Sequence, residues 1–181
     1  MASNTRWSED SGAATGSPAK GTTRTVGVTN CNWGATGGPI ADPSATPIAA
    51  GLNGFTKWQF VEFQAAGTFT LIQNGKFGHS AGALPANVTL FTRVTSTYVA
   101  PSATTDGAMT DQTTVDATLA AGAAVSFQIT GPEAAGSAAS IGSGTLPVFT
   151  QFMVSQIRVG GAASPGLFAN DVTLKFQWDE S

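Results

Sequence analysis

Over the segment VTLKFQWDES (172–181), Val172, Leu174, Phe176 and Trp178 alternate with Thr173, Lys175, Gln177 and Asp179. A repeat of two is the strand period, in which successive side chains point to opposite faces of a sheet. The same alternation recurs elsewhere. Val125, Phe127 and Ile129 alternate with Ser126, Gln128 and Thr130. Over 87–99, Val88, Leu90, Val94 and Tyr98 share one face while Phe91 and Arg93 take the other. Residues 148–159 read as one long strand, with Phe149, Met153 and Ile157 on one face and Phe152 and Val154 on the other. Residues 24–33 read as the first strand. No segment carries the helical period. Roughly eight or nine strands separated by Gly, Pro and Ser turns predict an all-β chain folded as an antiparallel β-sandwich of jelly-roll type.

The densest aromatic run, FTKWQFVEFQAAGTFTLIQNGKFGH (55–79), sits at the centre of this pattern. Trp58 and Phe60 share a face and Phe63 falls on the other. Either both faces of this strand are buried, or a bulge near Val61 resets its register. Asn74-Gly75 predicts a type I′ hairpin turn, because both residues tolerate positive φ. The stretch therefore reads as a three-stranded meander with an aromatic core face.

Three regions fall outside the strand pattern. Residues 1–23 are Ser, Ala, Gly and Thr with scattered charges and one aromatic, Trp7, and read as a flexible N-terminal arm ahead of a β-sandwich body spanning 24–181. Within the arm, Trp7 suggests an anchor that docks on a neighbouring subunit. Residues 34–50 hold Pro39, Pro43 and Pro47, which exclude regular structure and predict an ordered loop. Residues 100–114 read as a projecting polar loop.

Chemistry is sparse. His79 is the only histidine and Cys31 the only cysteine, so neither a His-dependent triad nor a Cys-based metal site finds partners. Asp106, Asp111 and Asp116 recur through a polar loop without the alternate oxygen ligands and central Gly of a calcium loop. Glu62 and Glu133 form no recognisable hydrolytic pair. No cofactor is expected. Charged residues make up 10% of the 181, against about 25% in an ordinary soluble domain, and the net charge of −3 provides no basic footprint for nucleic acid. A weakly charged, Thr-rich surface suits permanent packing against neighbours. Residues 1–20 lack the apolar core of a signal peptide, and no apolar run is long enough to span a membrane, which predicts folding in a reducing cytoplasm.

The segments NGFTKWQFVEFQAAGTFTLIQNGKFGHSAG (53–82), TGPEAA (130–135) and VTLKFQWDES (172–181), in that order, resemble a family of tailed-bacteriophage virion proteins. In that family a KWQ-containing aromatic segment precedes a TGPEA loop, and the chain ends in a strand closing on an acidic residue. The resemblance covers roughly residues 24–181, so the arm lies outside it. It implies a non-enzymatic structural component of the capsid surface, neck or collar, assembled into the virion in the host cytoplasm. Its partners would be major capsid or portal and neck proteins and further copies of itself. It supplies no catalytic residues. Candidate partner contacts, chosen on composition, are Arg6, Trp7 and Arg24 in or beside the arm, Pro39, Asp42 and Pro43 in the Pro-rich loop, and Asp106. The competing expectation is a receptor- or glycan-binding sandwich module of a fibre or adhesin. Trp33, flanked by Asn30 and Asn32, is the one cluster suited to that role. An enzyme, such as a wall hydrolase, would need a carboxylate or His constellation that does not assemble from these residues.

Overall fold

The computed structural model describes residues 4–65, 71–105, 107–119, 124–127, 141–142, 148–164 and 172–181. Among these residues eleven strands run in chain order: β1 (Asn4–Thr15), β2 (Lys20–Val26), β3 (Lys57–Ala65), β4 (Leu71–Ala81), β5 (Val88–Thr95), β6 (Thr110–Asp111), β7 (Val125–Ser126), β8 (Ile141–Gly142), β9 (Val148–Phe149), β10 (Phe152–Val159) and β11 (Thr173–Glu180). They form two antiparallel sheets. The larger has the order β2-β1-β3-β10-β5-β6, with β9 also paired to β3; the smaller has β11-β4-β7, with β8 also paired to β4. The chain is thus an all-β sandwich. Among the described residues the division is seven strands against four, and the two four-stranded sheets of jelly-roll winding are not traced.

β3 is the hub of the larger sheet. Its pairing with β1 is regular from Trp58 to Phe63, so no bulge interrupts it and both of its faces are buried. Val61 and Phe63 point between the sheets, where they meet Met153 and Val148 from their own sheet and Ile72, Phe77 and Phe127 from the other. Trp58 and Phe60 point outward into a second cluster with Phe152, Val154 and Tyr98. Among the described residues no second sheet covers this outer cluster. Tyr98 lies edge-on to Trp58, with ring centroids 5.0 Å apart, and its hydroxyl donates to the Gly12 carbonyl at 2.8 Å.

Two bulges decide which residues reach the core. Asn74-Gly75 does not turn the chain back. Asn74 has the expected positive φ of 58°, but it lies inside β4, where the strand carries one residue more than β11 opposite it. The extra residue brings Ile72 and Phe77 to the same face, although strict alternation would separate them. Gly75 is required there because a Cβ would overlap the Phe127 ring. A second irregularity, at Thr150 and Gln151, divides the expected long strand into β9 and β10. Thr150 exchanges backbone and hydroxyl hydrogen bonds with Val61. As a result Phe149 packs with Phe152 on the outer face rather than with Met153 on the inner one.

The amino-terminal segment corrects an expectation. Residues 4–26 are not a flexible arm. β1 lies between β2 and β3, paired along both edges, and Trp7 is partly buried in the inter-sheet core, its ring centroid 4.5 Å from that of Phe176. The reason is pairing: Glu9 and Asp10, which read as solvated, each meet a cation supplied by another strand. The first strand also ends earlier than the alternation suggests. Gly27 adopts a φ of 70°, and the Gly27 and Val28 amides both turn back to the Trp7 carbonyl. Residues 100–114 do not project as a loop. Their backbone accepts from Asn53, Thr56 and Gln156, and β6 joins the edge of β5.

Trp7→Ala is expected to cost about 3 kcal/mol of stability in urea denaturation, the range for truncating a packed core aromatic. A solvent-exposed arm residue would cost less than about 0.5 kcal/mol.

Candidate functional site

The inner face of β3 changes character along its length. Towards its start, Lys57 and Gln59 replace the apolar residues found at Val61 and Phe63. The register sets Gln59 opposite Glu9 of β1 and Lys57 opposite Ser155 of β10. The smaller sheet does not cover this end. The segment after β2 crosses over it instead, and the result is a buried polar network. The Lys57 ammonium lies 3.6 Å from the Glu9 carboxylate, with both side chains almost fully enclosed. Lys57 also donates to the Gly38 carbonyl. Gln59 donates to Glu9 at 3.1 Å and to the Asn30 carbonyl at 3.2 Å. Burial raises the Glu9 carboxyl above its ordinary value, opposed by the charge of Lys57 and the Gln59 hydrogen bond.

Ser155 links this network to the surface. Its hydroxyl receives the Trp33 indole N–H at 3.2 Å and lies 3.4 Å from the Cys31 sulfur. Burial pushes the Cys31 thiol up to about 12, the Ser155 contact working against it and the Glu9 charge adding to it. The thiol therefore stays protonated at neutral pH and lacks the thiolate that nucleophilic or metal chemistry needs. His79 is likewise a buried structural group: Nδ1 lies 3.0 Å from the Gln112 carbonyl oxygen and Nε2 lies 2.9 Å from that of Ala81. Among the described residues, no group of three His, Cys, Asp or Glu side chains is arranged to hold a metal ion.

In front of this network is a cleft of about 1320 Å³. One wall is the loop carrying Asn30, Cys31, Asn32 and Trp33, a second is the Pro-rich segment through Pro43 and Pro47, and the floor includes Ile157 and Val159 of β10. The Trp33 N–H is committed to Ser155 and the Asn32 amide to the Ile40 carbonyl. What the wall offers to a ligand is therefore the Trp33 ring with the exposed Asn30 beside it.

The candidate contact residues are dispersed over the molecule. Trp33, Pro43 and Trp7 line the cleft. Pro39 and Asp42 stand exposed in the same loop, where Asp42 caps the short 3-10 turn Pro43–Ala45. The Ser44 hydroxyl and N–H hold the Asp42 carboxyl below its usual value. Arg6 is paired with Glu62, its cross-strand neighbour. Arg24 grips the buried Asp10 carboxylate with two nitrogens, at 2.8 and 3.0 Å, while its guanidinium lies 4.5 Å from the Phe60 ring centroid. It seals the outer aromatic cluster, which uses both its planar fork and its affinity for an aromatic face. Asp106 lies outside the described residues. Comparison with protein-family models, with curated proteins and with solved structures gave no match.

Lys57→Met is expected to cost about 3–5 kcal/mol near neutral pH, because it leaves the Glu9 carboxylate enclosed without its counter-charge. The loss has a definite pH sign. A carboxyl whose folded-state value is raised favours the fold when protonated, so the deficit is small at and below the ordinary value of 4.5 and grows as pH rises. Urea denaturation of Lys57→Met and of Lys57→Met/Glu9→Gln across this range checks both points, with the double variant regaining stability at neutral pH.

Proposed function

We propose that this chain is a non-enzymatic structural component of a tailed-phage virion, seated on the capsid surface or the head–tail neck and associating with further copies of itself. The observation that supports this reading best is the state of the sheet edges. Among the described residues, β2 and β6 end the larger sheet, and β11 borders the smaller one along its whole length. Such edges carry unpaired backbone donors and acceptors, which a free-standing monomer must protect and an assembly can cover. A chain with only 10% charged residues fits the same role. The ordered resemblance over 53–82, 130–135 and 172–181 supplies the virion context. Attachment in this reading runs through the rigid body and its edges, since residues 4–26 are built into the sheet. Quantitative mass spectrometry of purified particles, combined with imaging, tests it. Many copies spread over the shell identify a decoration protein, a ring at one vertex identifies a neck or collar component, and absence from particles refutes the proposal.

One observation favours a second reading as a glycan-binding module. Trp33 and Asn30 both line the cleft, and an aromatic ring and an amide are groups that sugar recognition uses. Under this reading Trp33→Ala abolishes binding on a glycan array while leaving the melting curve close to that of the wild type. An array on which the wild-type chain binds nothing removes this reading.

A further inference from the structure

β11 is an edge guarded by charge alone. It contains no proline, and where the β4–β11 pairing shifts register, the extra residue lies in β4 each time. No strand among the described residues pairs with its outer side. Leu174, Phe176 and Trp178, which face the inter-sheet core, remain partly exposed there. Natural edges are blunted by bulges, brevity, prolines or charged side chains, and of these the eight residues of β11 show only charges, at Lys175, Asp179 and Glu180.

The backbone of β11 fixes which residues can accept a further strand. Ser181 and Leu71 exchange both of their backbone hydrogen bonds, at 3.0 Å each. Odd-numbered residues of β11 therefore turn their N–H and C=O groups towards β4, and even-numbered residues turn theirs to the open side. An added antiparallel strand must match its own outward-turned residues to Leu174, Phe176 and Trp178.

We infer that the occupant of this edge is β11 of a second copy, paired antiparallel about a two-fold axis through Gln177. This register satisfies the backbone rule, since Phe176 and Trp178 of one copy face Trp178 and Phe176 of the other as hydrogen-bonded pairs. On the solvent face it sets Lys175 opposite Asp179 of the second copy, and the symmetry repeats that pair. The Lys175 side chain has no ion-pair or hydrogen-bond partner among the described residues, and the Asp179 carboxylate receives only the exposed Asn74 amide there. Sliding the strand by one backbone repeat in one direction sets Lys175 against Gln177; sliding it in the other sets Gln177 against Asp179. A slide of two repeats in the first direction opposes the two lysines. Only the register centred on Gln177 joins opposite charges and adds two aromatic cross-strand pairs, each of a kind that stabilises a sheet. The two smaller sheets then run on as one across the axis.

The pairing is a property of the isolated chain and does not rest on the virion reading. The test is mass measurement of the purified full chain over a range of concentrations. The wild type is expected to dimerise. Asp179→Lys and Lys175→Asp each set like charges opposite one another twice and should raise the dimer Kd by roughly ten-fold or more. An equimolar mixture of these two variants restores both opposite-charge pairs and should dimerise like the wild type. Gln177→Cys gives the position-specific readout. Facing residues in a non-hydrogen-bonded antiparallel pair have Cα atoms about 4.5 Å apart, within disulfide range, so oxidation should crosslink this variant, with the wild type, carrying Cys31 alone, as the control. A wild type that stays monomeric overturns the inference. So do dimers that ignore both charge reversals and that Gln177→Cys fails to crosslink. A wild type that is monomeric in solution yet enters particles refutes this pairing alone, and an intact dimer absent from particles refutes only the virion reading.

Discussion

Because β3 buries Trp58 and Phe60 on one side and Val61 and Phe63 on the other, neither side can be left to solvent, and the surrounding chain is arranged to meet that demand. The smaller sheet supplies the inner cover with Ile72, Phe77 and Phe127. The outer cover is assembled from pieces: Tyr98 from beyond β5, Phe152 and Val154 from β10, and the guanidinium groups of Arg24 and Arg93 over the rings of Phe60 and Trp58. Aromatic side chains bring large buried areas, and their edge-on contacts add to that burial. One strand thus anchors two hydrophobic clusters, and the amino-terminal hairpin is held in place because it serves both. Trp7 fills the inner cluster, while Arg24, fixed by Asp10, closes the outer one.

The charged residues enclosed in this scaffold, and several of the neutral polar ones, are met by partners from other elements. Asp10 has the Arg24 fork and the Gly21 amide, Glu9 has Lys57 and Gln59, and Ser155 has Trp33 and Cys31. These groups let an irregular loop, rather than a sheet, roof one end of the sandwich, since the loop's carbonyls at Gly38 and Asn30 become acceptors for Lys57 and Gln59. The cleft is a by-product of that arrangement. Its walls are loops with their own hydrogen bonds, and its floor is the end of β10.

The alternation in β11, in β5 and around Trp58 was open to direct reading, because a half-buried strand imposes its period on its own residues. Partnership between distant residues was not. The segment NTRWSEDSGAAT looks unable to form a core because its charges read as solvated, and nothing local shows that Arg24 and Lys57 will neutralise Asp10 and Glu9. The Asn74-Gly75 pair reveals its positive φ but not its setting, since a hairpin turn and a bulge make the same local demand. Phe149 was placed on the wrong face because the irregularity at Thr150 is stabilised from across the sheet by Val61. For the candidate site, the local cluster of Trp33, Asn30 and Asn32 was legible, whereas the network behind it, drawn from β1, β3 and β10, was not.

The Glu9–Lys57 pair also bears on how the sheet is assembled correctly. A β1 strand sliding by one residue against β3 would carry Glu9 and Trp7 to the outer face and turn Asp10 with its Arg24 partner inward, so that Lys57 would meet a carboxylate already held by another cation. Hydrophobic contacts alone would tolerate such a slip, because apolar surface awaits on both sides of β3. A desolvated charge without its counter-ion would not. In a strand with apolar residues on both faces, the two buried ion pairs, Glu9 with Lys57 and Asp10 with Arg24, tell one face from the other and favour the native alignment.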